Sequence, residues 1–117
     1  MSDTPIESRL GELMIVGVPG PELTPEVKAT LRGLGPSGVI LFAANFTDAD
    51  QAARLARDAH ETLGSPELPA LVSADEEGGM VSQLSGFWEV PPSARAVASS
   101  GGAALVKDLA QRTARRL

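Results

Sequence analysis

The stretch LVSADEEGGMVSQL, residues 71–84, runs an apolar segment directly into Asp75, Glu76 and Glu77, followed by Gly78 and Gly79. Adjacent carboxylates repel one another and are costly to desolvate near a core. A run of this kind either faces water as a plain acidic turn or is arranged to hold something. Oxygen donors of this type suit Mg²⁺ or Ca²⁺, but three neighbouring residues seldom converge on one ion without ligands from elsewhere in the chain. The two glycines allow a sharp backbone turn and the close approach of a ligand. Whether the acids serve chemistry depends on the elements that carry them.

The chain has 117 residues, 43% hydrophobic and 21% charged, which is ordinary for one soluble globular unit. Phe42, Phe46, Phe87 and Trp88 are its only aromatic residues, so the core must be aliphatic. A net charge of −5 argues against nucleic acid and anionic membrane as partners, since both are bound mainly through Lys and Arg. The short run RTARR near the end suits the last turn of a helix. Without cysteine there is neither a disulfide framework nor a thiolate metal site. No apolar run approaches the ~20 residues of a membrane span, and residues 1–10 lack the pattern of a secretory signal. A cytoplasmic location is the expectation.

Three apolar runs, near 13–18, 38–42 and 69–74, are continuous rather than alternating, as in parallel strands covered on both faces. Thr24, Pro25 and Glu26 form a cap, a first-turn proline and a first-turn acid for a helix reaching about Leu34, where GLGPSG stops it. A second helix is expected after Thr47 as cap, with Ala52, Leu55, Ala56, Ala59 and Leu63 as its buried stripe. Residues 78–102 read as a long loop, a further helix starts near Ala103, and a short one covers Ile6–Leu13. This alternation predicts an α/β fold of about three parallel strands with right-handed crossovers. A closed (β/α)₈ barrel takes ~250 residues, so residues 1–117 are read as one partial barrel domain, with a compact three-layer domain as the alternative.

In such a sheet, ligands meet the C-terminal ends of the strands, and Asp75 sits at one. Here the sequence resembles the N-terminal part of glycoside hydrolase family 3, especially its bacterial β-N-acetylglucosaminidases. DEEGGMVSQL is similar to that family's D-Q-E-G-G-R-V-x-R signature. ESRLGELMIVGVPGPELTPEV, GPSGVILFAANFTDADQAARLARDAH and VPPSARAVASSGG resemble its opening unit, its second unit and the segment after the acidic loop, in the same order. The resemblance implies a retaining exo-hydrolase of terminal β-linked N-acetylhexosamine or a related sugar, built on a (β/α)₈ barrel. It also implies that Asp75 binds hydroxyls of the terminal sugar, as a carboxylate can with two hydrogen bonds in fixed geometry. Gln83 stands at a second sugar-contacting position, and Glu77, Gly78 and Gly79 shape the loop.

The family's nucleophile Asp and its K-H-F-P-G-H-G loop have no counterpart in these residues, so no catalytic residue is assigned, and no metal or cofactor is expected. Glu76 replaces the signature's Gln, Met80 its first Arg and Gln83 its second, which removes charge assistance from sugar binding. His60 is expected to pack or to make a surface hydrogen bond, and Trp88 to plug the loop rather than stack on sugar. Asn45 suits either the rim of a site or a turn. The alternative function is a non-catalytic carbohydrate-binding or assembly module. Open strand edges would then pair with a second copy or with a separate chain carrying the rest of the barrel.

Overall fold

The computed structural model describes residues 6–65 and 68–116. A 3-10 helix at Ile6–Leu13 leads into β1 (Ile15–Gly17), α1 (Pro25–Leu34), β2 (Gly38–Leu41), a 3-10 turn at Ala43–Asn45, α2 (Ala49–Leu63) and β3 (Leu71–Ala74). The acidic stretch then forms a small antiparallel hairpin of β4 (Glu76–Gly78) and β5 (Val81–Ser82), followed by α3 (Ala94–Ser100) and α4 (Ala103–Arg116). β1, β2 and β3 pair in chain order and in parallel, with Val39 between Val16 and Val72. Parallel strands that neighbour one another in chain order, joined by helices, are the repeating unit of a (β/α)₈ barrel. The chain holds three such strands of an incomplete one.

Strand pleating gives the sheet two unlike faces. Val16, Val39 and Val72 share one face with Leu41, and all four join Leu31 of α1 and Leu55 and Ala59 of α2 in the core. Val39 is fully buried there. Lys28 and Asp58 pair across the two helices at 3.1 Å. The opposite face carries Ile15, Gly17, Ile40, Leu71 and Ser73, and Ile15 and Leu71 remain 46% and 56% exposed. Both helices that pack on the sheet lie on the valine face, so the second face is bare.

The helix signals operate largely as read, with two differences, both in α2. The Thr24 hydroxyl accepts the Val27 N–H, Pro25 opens α1, and Gly35 ends it in the left-handed region at φ 63°. For α2 the cap is Asp48 rather than Thr47: the Asp48 carboxylate accepts the Gln51 N–H at 2.8 Å, and the Thr47 hydroxyl leans on that same carboxylate. The buried stripe of α2 is Gln51, Leu55, Ala59 and Thr62, rotated from the expected one because Gln51 finds backbone partners inside.

The strands are shorter than the apolar runs that announce them. Leu13 belongs to the 3-10 helix, Phe42 follows β2, and Pro69 and Ala70 precede β3. The expected loop over 78–102 contains β5 and the whole of α3, whose cap Ser93 accepts the Ala96 N–H at 3.3 Å. Among the described residues, no helix is long and apolar enough to cross a membrane.

Candidate functional site

The site is built where β2 and β3 end. Leu41 pairs with Ala74, so Phe42 and Asp75 leave the sheet side by side. Alternation carries both onto the bare face. A side chain placed on Gly17 would meet the Phe42 ring at 3.9 Å, which puts the ring on that face directly. Phe42 is 42% exposed, and Asp75 is exposed as well. The rim therefore joins an accessible carboxylate to an accessible aromatic ring.

Gln83, the residue after β5, reaches the same rim. Its side-chain carbonyl accepts the Ala43 N–H at 2.8 Å, tying the hairpin to the turn after β2. With the carbonyl oriented this way, the side-chain NH₂ keeps its donors for another partner. Asp75 and Gln83 thus flank one loop, with acceptors from one and donors from the other.

Asn45 fixes that loop from below. It is buried, its side-chain carbonyl accepts the Phe42 N–H at 2.8 Å, and its NH₂ donates to the Val18 and Gly20 carbonyls at 2.9 and 2.7 Å. Gln51 adds a second brace, donating to the Asn45 carbonyl at 3.0 Å and to that of Pro21. These bonds tie the loops after β1 and β2 to each other. Of its two sequence readings, Asn45 takes the turn.

Among the acids, Glu77 is exposed, while Glu76 is half-buried and turned under the hairpin, where its carboxylate accepts the Leu84 N–H at 3.3 Å. Gly78 and Gly79 adopt φ of 76° and 63°. A Cβ at Gly78 would lie 2.6 Å from the Pro92 carbonyl oxygen, and the Gly79 N–H donates to the Pro91 carbonyl at 2.8 Å. The two glycines let the hairpin lie flat against residues 91–93. Met80, at the tip, is fully exposed.

Trp88 donates its backbone N–H to the Leu84 carbonyl at 3.0 Å, and its ring lies 5.1 Å from that of Phe87. It anchors the loop beneath the hairpin. His60 is exposed at the far end of α2 and lines a groove of about 550 Å³ with Ala53, Ala56, Val72 and Trp88. Among the described residues, no three His, Asp or Glu side chains converge to hold a metal ion.

Sequence reasoning missed Phe42, Glu76 and Gln51. The first was legible, because period-two alternation along β2 predicts its face. The other two depend on contacts with residues eight and more positions away, which no local pattern reveals.

Comparison with known proteins adds four findings. Residues 5–117 match the profile described as glycosyl hydrolase family 3 N terminal domain. A beta-hexosaminidase of Bordetella pertussis is 41% identical over 81 residues, which are 68% of this chain and 22% of that protein. A glycoside hydrolase family 3 beta-N-acetylglucosaminidase from Paenibacillus superposes with a TM-score of 0.79 at 27% identity, covering 92% of this chain and 20% of the other. NagZ from Neisseria gonorrhoeae, solved in complex with N-trifluoroacetyl-D-glucosamine, gives 0.54 at 30% identity, covering 65% of this chain and 21% of that one. The chain spans about a fifth of the length of the relatives it matches.

Proposed function

Because the chain belongs to the family of glycosyl hydrolase family 3 N-terminal domains, we propose that it forms one wall of a sugar pocket in a retaining exo-hydrolase of terminal β-linked N-acetylhexosamine or a related sugar. The observation that carries this is the rim itself. Asp75 stands exposed where β3 ends, beside the Phe42 ring and across the loop from Gln83. Asp75 accepts hydroxyl hydrogen bonds from the terminal sugar, the Gln83 NH₂ donates to a ring substituent, and the ring of Phe42 covers an apolar sugar face.

Retention requires a nucleophile and an acid/base carboxyl or equivalent on either side of the glycosidic bond, roughly 5 Å apart. Residues 1–117 supply binding and orientation, and we assign neither catalytic role to them. Binding without those groups leaves the barrier where it was. The expected result with the purified 117-residue protein and an aryl N-acetylglucosaminide is no release above the buffer rate. Enzyme-dependent turnover that survives repurification contradicts this division of labour. The cysteine-free composition supports a cytoplasmic setting.

A second reading, an assembly module, rests on a separate observation. The bare sheet face, with Ile15 and Leu71 half-exposed, and the open edges of β1 and β3 leave a parallel sheet uncovered on one side. This reading expects self-association, or capture of a chain carrying the remaining β/α units. A concentration-independent monomer in sedimentation, melting in one cooperative step, rules it out.

A further inference from the structure

Glu76 lies between Asp75 and Gln83, two of the three residues proposed to touch sugar, and it connects them. It follows Asp75 in the chain, pairs with Ser82 across the hairpin, and accepts the N–H of Leu84, the neighbour of Gln83. β4 and β5 are three and two residues long with a register shift between them, so ladder bonds alone hold the hairpin weakly. Leu84 itself is buried, and its carbonyl receives the N–H groups of Phe87 and Trp88. One residue before it, Gln83 grips Ala43.

We propose that Glu76 is a positioning residue for the sugar-binding rim: its carboxylate sets the spacing between Asp75 and Gln83 by clamping Leu84, and the clamp extends through Gln83 to Ala43 after β2. The part of this concerning sugar rests on the function proposed above. The part concerning the clamp does not. A second feature defines what the position tolerates. The other Glu76 oxygen is buried without a protein donor among the described residues, beside a void of about 10 Å³ lined by Ser82, Trp88 and Thr113. Glutamine keeps the acceptor for Leu84 and places an NH₂ beside a space whose lining includes Ser82 and Thr113, whose hydroxyls can accept. Methionine fills the space and offers Leu84 no comparable acceptor.

The test uses the ¹⁵N-labelled full chain with Glu76→Gln and Glu76→Met, read by amide hydrogen exchange and by titration with N-acetylglucosamine. In Glu76→Met, exchange at Leu84 and Ala43 rises about tenfold or more while the core amide of Val39 holds, and the sugar response at Asp75 and Gln83 is lost. In Glu76→Gln, all of these stay at the parent values. Unchanged protection at Ala43 and an unchanged sugar response in Glu76→Met overturn the proposal. If Val39 also loses protection in Glu76→Met, Glu76→Gln decides: retained protection at Leu84 and Ala43 supports the clamp, and its loss overturns it. A parent chain that ignores the sugar removes the proposed function, while the exchange data still decide the clamp.

Discussion

Asn45 commits its whole side chain to backbone: one acceptor to Phe42 N–H and two donors to the Val18 and Gly20 carbonyls. Replacing it with Ala leaves those groups buried and unpaired, at ~1–3 kcal/mol for each that water cannot reach. Asn45→Ala is therefore expected to lower unfolding stability in urea by about 3 kcal/mol. It should also free the Phe42 ring from its fixed place at the rim. Gly78 makes a different demand. At φ 76° and with the Pro92 carbonyl where a Cβ would go, Gly78→Ala should destabilise by about 2 kcal/mol or more, because the left-handed conformation and the close approach both count against a side chain. Thermal melting of the two variants beside the parent checks both. At this scale the sequence is a good guide to residues that act through local conformation. Asp75 at a strand end and the two glycines after it were legible from spacing. Glu76 was not, since Glu76 and Glu77 are chemically equivalent on paper. Only the hairpin pairing decides which of them turns under toward Leu84.

The elements themselves follow from caps and periodicity where they are long, and become illegible where they are short. α1 and α2 announce both ends, whereas β5 has two residues and α3 seven, too few for any period to show. The shift from Thr47 to Asp48 as the α2 cap is one residue wide, yet it has a titratable consequence. The Gln51 backbone N–H, aided by the Thr47 hydroxyl, holds the Asp48 carboxyl below its usual pKa. A carboxyl depressed in the folded state contributes its stability above the unfolded pKa and loses it as pH falls through the folded one. Acidification below the ordinary carboxylate range should therefore weaken α2, and Asp48→Asn should flatten that part of the pH–stability curve. A curve of unchanged slope in Asp48→Asn would remove Asp48 from the account. Ser93→Ala, which deletes the cap of α3, is expected to lower stability by about 1 kcal/mol in chemical denaturation and to leave α2 intact.

For the whole molecule, the sequence conveyed the α/β alternation and the parallel sheet but not the asymmetry of that sheet. The continuous apolar runs read as strands covered on both faces, and one face is bare. The reason is physical: Ile15, Ile40 and Leu71 are as apolar as the valines opposite, and in a closed (β/α)₈ barrel the sheet face away from the helices turns inward and is filled. The same bare face gives Asp75, Phe42 and Gln83 a common side from which to meet a ligand. The central claim is that this rim binds the terminal sugar through Asp75. Its most direct test is a ¹⁵N titration of the chain with N-acetylglucosamine, run on the parent protein and on Asp75→Asn. Saturable shifts gathered at Phe42, Ala43, Asp75 and Gln83 are expected, with binding weaker by about tenfold or more in Asp75→Asn, as loss of charged hydrogen bonds requires. No saturable shift, shifts centred instead on the groove beside His60, or equal affinity in Asp75→Asn would contradict it.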